Sequence, residues 1–349
     1  MERLAPEQHD TLDDVPEPAE ATALYGHDEA SRMLAAAYRS GKLPHALMFV
    51  GPRGIGKATL AFHLASYLLR HRSPEIARGQ TASPDPASSI FRQVATGAHP
   101  GVLHLTRPVN EKTKAFKSAL TVDEVRRINR FLSMTSHDGS YRIVIIDPAD
   151  DMNVNAANAL LKNLEEPPAK ALFVLIVNSP GALLPTIRSR CQIVRLAPLG
   201  DAAMAAALEH AGFTLPDDTE ARAALRARAG GSVRQAILLT QYGGLEISEG
   251  LDRLIGKGRV ETADAHRLAD AVAGRDRAVQ FDMFNDHVLG MLASAASSAA
   301  RAGDVSRAGR LSEVWRELRI AIDEADTYNL DRKQHALNMI FRLNDTFRM

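Results

Sequence analysis

The run Gly51-Pro52-Arg53-Gly54-Ile55-Gly56-Lys57 fits the pattern G-x-x-x-x-G-K. Glycines at this spacing let backbone N–H groups turn inward around phosphate oxygens, and the lysine adds a point charge. A helix opening at Lys57 aims its positive end at the same spot. Gly51, Gly54, Gly56 and Lys57 are therefore candidate phosphate contacts. Hydrolysis of a nucleotide needs more. The next position should carry a hydroxyl that holds Mg²⁺, and here it is Ala58. Thr59 follows, but one residue turns a helical side chain by about 100°. Thr59 stays a candidate nucleotide contact and does not replace the missing metal ligand.

A second motif is the apolar run Arg142-Ile143-Val144-Ile145-Ile146-Asp147. A strand ending in Asp, downstream of such a loop, supplies a carboxylate near the metal. In hydrolases of this design a Glu follows and polarises water. Pro148 occupies that position and has no acid to offer. Asp150 and Asp151 are close by, and nothing in the sequence aims them at a phosphate, so they read as solvated loop residues. Ser189-Arg190-Cys191, flanked by Arg188 and Arg195, reads on its residues alone first as an exposed basic loop. Its second reading is an arginine that stabilises charge on a transferred phosphate. Gly230-Gly231-Ser232-Val233-Arg234 suits a helix start. Arg234 could approach a phosphate from there or simply decorate a helix surface.

These residues need elements to hold them. Short apolar runs at His45–Val50, Gly101–Leu105, 142–147, Leu172–Val177 and Gln192–Leu196 read as strands covered on both faces, as in a parallel sheet. Helices are expected between them. Lys57–Arg70 follows the phosphate loop. Thr121–Leu132 opens on Thr121-Val122-Asp123-Glu124, a capping-box pattern. In Asn153–Glu166, Ala157, Leu160, Leu161 and Leu164 share one helix face, and Pro167-Pro168 stops the helix. Ser73–Ser89 reads as a surface loop or linker. Beyond Ala197 strand signals nearly vanish. Leu311, Val314, Trp315, Leu318 and Ile322 form a helical stripe, and Leu330, Leu337, Ile340 and Leu343 a looser one, both read as bundle core. Gly256-Lys257-Gly258 is a candidate domain boundary.

A chain of 349 residues calls for two or three domains. Lys and Arg together number 42, as do Asp and Glu, so no bulk field draws nucleic acid to the chain. Cys191 is the one cysteine, which excludes an internal disulfide and a cysteine-cluster zinc site. Residues 1–20 hold three prolines and many acids without an apolar core, and read as a disordered tail rather than a signal peptide. No stretch is apolar for long enough to span a membrane, and a cytoplasmic location is expected.

Taken in order, these pieces resemble the delta-prime family of bacterial clamp-loader subunits, which are AAA+ proteins. Asn158-Ala159-Leu160-Leu161-Lys162-Asn163-Leu164-Glu165-Glu166-Pro167-Pro168 resembles its most recognisable helix, and Thr186-Ile187-Arg188-Ser189-Arg190-Cys191 its Ser-Arg-Cys motif. Tyr25-Gly26-His27, Pro44-His45-Ala46 and Asn329-Leu330-Asp331-Arg332-Lys333 extend the resemblance over most of residues 24–345. It implies an α/β class chain: an AAA+ phosphate-loop domain with a parallel sheet (21–197), a small helical lid (198–257) and an all-α collar (258–349) behind the 1–20 tail. It also implies a non-motor subunit of a five-membered ring that loads the sliding clamp onto primed DNA for the DNA polymerase III holoenzyme. DNA synthesis then belongs to the complex. Arg190 would serve in trans as an arginine finger for a neighbour's ATP, Arg234 would take the second sensor position, and Asn178 and Ser179 lie near the first. Expected partners are the other clamp-loader subunits and, through them, the clamp and primer-template DNA, with no membrane. The alternative within the family is an active ATPase motor, and a third reading is a DNA-binding module.

The sequence departs from the family pattern twice. Many relatives carry a four-cysteine zinc module after the phosphate-loop helix, whereas Ser73–Ser89 contains neither Cys nor His, so neither zinc nor another metal is expected. Many delta-prime proteins have lost the phosphate loop, whereas this chain keeps Gly51, Gly54, Gly56 and Lys57. Weak binding of ATP or ADP, with little hydrolysis, is the expectation.

Overall fold

The computed structural model describes residues 3–81, 83–111, 114–134, 139–216, 218–256, 258, 260–274 and 276–348. Met1, Glu2, Ala82 and Lys257 of the segments named above lie outside them. Two compact units divide between Gln235 and Ala236.

The first unit is built on five parallel strands, β1 (Ala46–Val50), β2 (Val102–Leu105), β3 (Arg142–Ile146), β4 (Ala171–Val177) and β5 (Gln192–Arg195), in the order β2-β3-β4-β1-β5. Its helices are α1 (Asp28–Arg39), α2 (Lys57–Arg70), α3 (Ser89–Ala95), α4 (Val122–Ser133), α5 (Val154–Glu165), α6 (Pro185–Arg188), α7 (Asp201–His210) and α8 (Thr219–Ala229). Strand side chains alternate between two cores, because successive Cβ atoms point to opposite faces. Leu47, Phe49, Ile143, Ile145, Leu172 and Val174 pack with α1 and α2 residues such as Leu34, Leu60 and Leu64. Met48, Val50, Val144, Ile146, Phe173 and Leu175 pack with Val125 and Ile128 of α4 and Leu160 and Leu164 of α5. Both faces of β1, β3 and β4 are covered, as their continuous apolar runs require, whereas β5, expected to be covered as well, lies at the sheet edge and exposes Gln192, Ile193 and Arg195.

Local signals fix the helix starts. The Glu124 carboxylate accepts from the Thr121 backbone N–H at 3.0 Å, closing the capping box of α4. Asn153 caps α5 by accepting from the Ala156 N–H at 2.9 Å. Among the described residues of Ser73–Ser89, Pro74–Ile76 form a 3-10 turn, and Thr81 is buried beside Ser31 on α1, so the segment is partly anchored.

The expectation for the N-terminal segment is corrected. Residues 3–20, read as a disordered tail, fold into a closed loop with Ala5 and Leu12 buried. The buried Glu20 carboxylate accepts from the backbone N–H groups of Leu4, Ala5 and Glu17. Just past the loop, His63 of α2 is hydrogen bonded to the Ala21 carbonyl at 2.8 Å. Carboxylates that composition treats as solvating here satisfy backbone donors.

Helix α9 (Val233–Gln241) starts in the first unit. The second continues with α10 (Gly244–Gly256), α11 (Thr262–Val272), α12 (Ala278–Arg301), α13 (Val305–Tyr328) and α14 (Arg332–Arg348). The division falls inside the stretch 198–257 because Ile247 and Leu251 of α10 join the core of the later helices. Leu311, Val314, Leu318 and Ile322 line that core with Leu337, Ile340 and Leu343, while Leu330 is exposed. Among the described residues no helix is long and apolar enough to cross a membrane.

Candidate functional site

The phosphate loop follows β1, at the carboxyl end of the sheet, where ligands of open α/β sheets bind. Gly54 and Gly56 have φ of +77° and +98°, a region that favours glycine. A Cβ on Gly54 would lie 2.4 Å from the Cβ of Arg234 and 2.5 Å from Ser232 Oγ. Residues 232–234 thus press directly on the loop. Ser232 Oγ donates to the Arg53 carbonyl at 2.8 Å, and the Val233 N–H donates to the Gly54 carbonyl at 3.1 Å. The start of the helix that carries Arg234 therefore lies against the phosphate loop.

Lys57 is buried, and its ammonium donates to the carbonyls of Gly51 and Pro52 at 2.8 and 2.5 Å and to Asn178 Oδ1 at 2.8 Å. Burial lowers its pKa to about 8, although Asp147 and Asp150 pull the other way. Asp147, at the end of β3, is pushed up to about 7 by desolvation and then by the charge of Asp10, with Lys57 opposing. Asp150 and Asp151 are not solvated loop residues. Asp150 accepts from the backbone N–H groups of Asn178 and Ser179, at 3.2 and 2.9 Å, and so ties the end of β3 to the end of β4. Asp151 pairs with Arg107 at 2.5 Å. Thr59, the third residue of α2, is partly exposed.

Arg190 belongs to the opposite end of the sheet. In the β1–β5 register Leu47 pairs with Gln192, and Arg190 lies in the turn just before β5. Gly51 is four residues past Leu47, or about 13 Å at ~3.3 Å per residue. The Arg190 guanidinium donates to the Thr186 carbonyl at 2.9 Å and pairs with Glu165, the last residue of α5, at 2.6 Å. The same end of the sheet is tied to α5 by the 3.1 Å hydrogen bond between His45 Nε2 and the Leu164 carbonyl. Cys191 is buried among apolar residues of α5 and the sheet, and burial raises its thiol to about 11, which makes it packing rather than chemistry.

A family model described as "DNA polymerase III, delta subunit" matches residues 26–200. The DNA polymerase III subunit delta' of Pseudomonas aeruginosa is 37% identical over 253 residues, 71% of each chain. The chain belongs to the DNA polymerase III delta-prime family. The Escherichia coli subunit delta' is 34% identical over 170 residues, covering 47% of this chain and 46% of that one. Subunit gamma/tau of Mycobacterium tuberculosis is 33% identical over 173 residues, 50% of this chain and 28% of its own. Among solved structures, a gamma subunit-related protein of Thermotoga maritima covers 90% of this chain and 99% of its own at 17% identity and a TM-score of 0.43. The fold is α/β, a five-stranded parallel sheet with a helical C-terminal region.

The residues present fit a nucleotide in part. Gly54, Gly56, Lys57 and the start of α2 form a cradle for phosphate oxygens, and Arg234 and Arg53 add charge beside it. The metal half of such a site does not fit. Ala58 offers no oxygen to Mg²⁺, and Pro148 supplies no carboxylate beside Asp147. Among the described residues, no group of three or more His, Cys, Asp or Glu is arranged to hold a metal ion. Sequence reasoning missed Asp10, Asn178 as the partner of Lys57, and Glu165 as the partner of Arg190. Glu165 was within the recognised Leu-Glu-Glu-Pro-Pro string, but only the fold reveals its pairing.

Proposed function

We propose that this chain is a clamp-loader subunit of the DNA polymerase III holoenzyme that helps load the sliding clamp onto primed DNA. It acts as a rigid, non-motor member of a hetero-oligomeric ring in the cytoplasm and presents Arg190 to ATP held by a neighbour. The observation that carries this reading is the register of β5 on β1. Arg190 precedes Gln192, whose level lies about 13 Å along the strands from the chain's own phosphate loop, beyond the reach of one side chain. Any phosphate it serves must come from another subunit. Its pairing with Glu165 is exposed, and exposed ion pairs contribute only about 0–1 kcal/mol, so Arg190 can exchange that partner for a phosphate. Ala58 and Pro148 support little hydrolysis at the chain's own loop, where ATP or ADP binds weakly.

Replacing Arg190 by Ala in the reconstituted complex tests this. Assembly should be unchanged, and DNA-dependent ATP hydrolysis at the facing site should fall by about 10³-fold or more. Arg190→Lys should restore only a fraction, since it keeps the charge but not the planar fork. An unchanged rate removes the trans role. Turnover of ATP by the isolated chain, abolished by Lys57→Ala, would put an active motor in its place.

A further inference from the structure

The loop of residues 3–20 does not merely fold; it folds onto the phosphate site. Asp10 lies at its tip. The Asp10 carboxylate accepts from Arg53, inside the phosphate loop, at 2.8 Å, and its backbone carbonyl accepts from Arg234 at 2.6 Å. The Arg234 guanidinium also lies 3.8 Å from that carboxylate. On either side, Gln8 accepts from Thr106 Oγ1, just past β2, at 2.6 Å, and Thr11 donates to the buried Glu17. The contacts therefore run across the carboxyl ends of β2 and β1, the edge where a ligand of this fold would sit. Burial alone would raise the Asp10 carboxyl, but Arg53 and Arg234 outweigh it and hold it at about 2. Its charge also reaches Asp147, at the end of β3. The matched family region begins at residue 26, so the segment lies outside it.

We infer that residues 3–20 are an anionic plug in which Asp10 stands where a nucleotide phosphate would bind, between Arg53 and Arg234, so that nucleotide enters only by displacing it. Arg53 and Arg234 are the cations a phosphate would recruit, and a carboxylate offers the same charge-assisted geometry. Lys57 completes the closed form by donating to its own loop carbonyls and Asn178. The inference deepens the proposed weak binding at this loop and rests on it. It is independent of the role of Arg190.

Isothermal titration with ADP tests it on the full chain, on Asp10→Ala, on Asp10→Asn and on a variant lacking residues 1–16. Removing the plug or its charge should tighten ADP binding by about tenfold or more, the worth of one charge-assisted hydrogen bond. Lys57→Ala should erase that gain. Asp10→Asn keeps shape and backbone contacts, so it answers the question even if truncation harms folding. In the unaltered chain, saturating ADP should also lower hydrogen-exchange protection of amides in residues 4–17. Equal ADP affinity in all four proteins, or unchanged protection at saturation, overturns the plug while leaving nucleotide binding intact. Absence of ADP binding even in the plug variants overturns both the plug and the nucleotide reading, and leaves Arg190 to its own experiment.

Discussion

At the scale of single residues, the carboxyl of Asp147 makes the sharpest prediction. Its pKa is raised to about 7 by desolvation and by Asp10, so the folded state holds the proton more tightly than the unfolded chain. The stability this confers is fully present below the ordinary carboxylate pKa and is lost as pH rises through about 7. Asp147→Asn should match the unaltered protein in melting temperature near about pH 4 and exceed it at about pH 8. Parallel curves for the two proteins across that range would refute the assignment. The phosphate-loop glycines, Lys57 and Asp147 were singled out by type and spacing, and Arg190 by the family resemblance of its motif. Asp10 was not. A window dominated by proline and acids predicts disorder, because composition cannot register that Arg53 and Arg234, distant in the chain, supply the complementary charge.

Elements were easier to read than contacts between them. Strands β1, β3 and β4 lie where continuous apolar runs stood, since burial on both faces leaves little polar alternation to misread, while β5 has one buried position between exposed ones. Helix α1 went unread although Leu34, Ala35 and Tyr38 form a buried face, and the short α3 offered too little periodicity. Neither strand order nor register can be seen in a linear pattern, yet register is what separates Arg190 from the phosphate loop. Helix α5 links these levels. Asn153 caps its start, Leu160 and Leu164 anchor its face, and Glu165 at its end receives Arg190. Asn153→Ala should lower stability by about 1 kcal/mol in urea unfolding, with the ATPase of the assembled complex near normal. Glu165→Gln should do the reverse, leaving stability unchanged, because an exposed pair contributes little, while altering the nucleotide concentration at which the complex reaches half-maximal hydrolysis. If Glu165→Gln leaves those kinetics untouched, its pairing does not position Arg190.

For the whole molecule, charge decides how DNA can be met. Lys and Arg balance Asp and Glu at 42 each, and several of the cations are already matched within the fold: Arg53 and Arg234 by Asp10, Arg107 by Asp151, Arg190 by Glu165, Arg342 by Glu317 and Lys333 by Asp270. Nonspecific DNA affinity comes from releasing counterions as unmatched cations neutralise phosphates, with a log–log salt slope of about −0.9 per contact on a duplex. A chain with no net charge can supply few such contacts alone. The isolated protein should therefore bind a primer-template duplex no more tightly than about 10⁻⁴ M at physiological salt, while the assembled complex binds with a steep salt dependence. Fluorescence anisotropy across a salt series measures both. Micromolar binding by the isolated chain with a slope of several units would reveal a cationic surface of its own and make DNA contact a property of this subunit. A flat, weak titration assigns that contact to other subunits, as the proposed non-motor role requires.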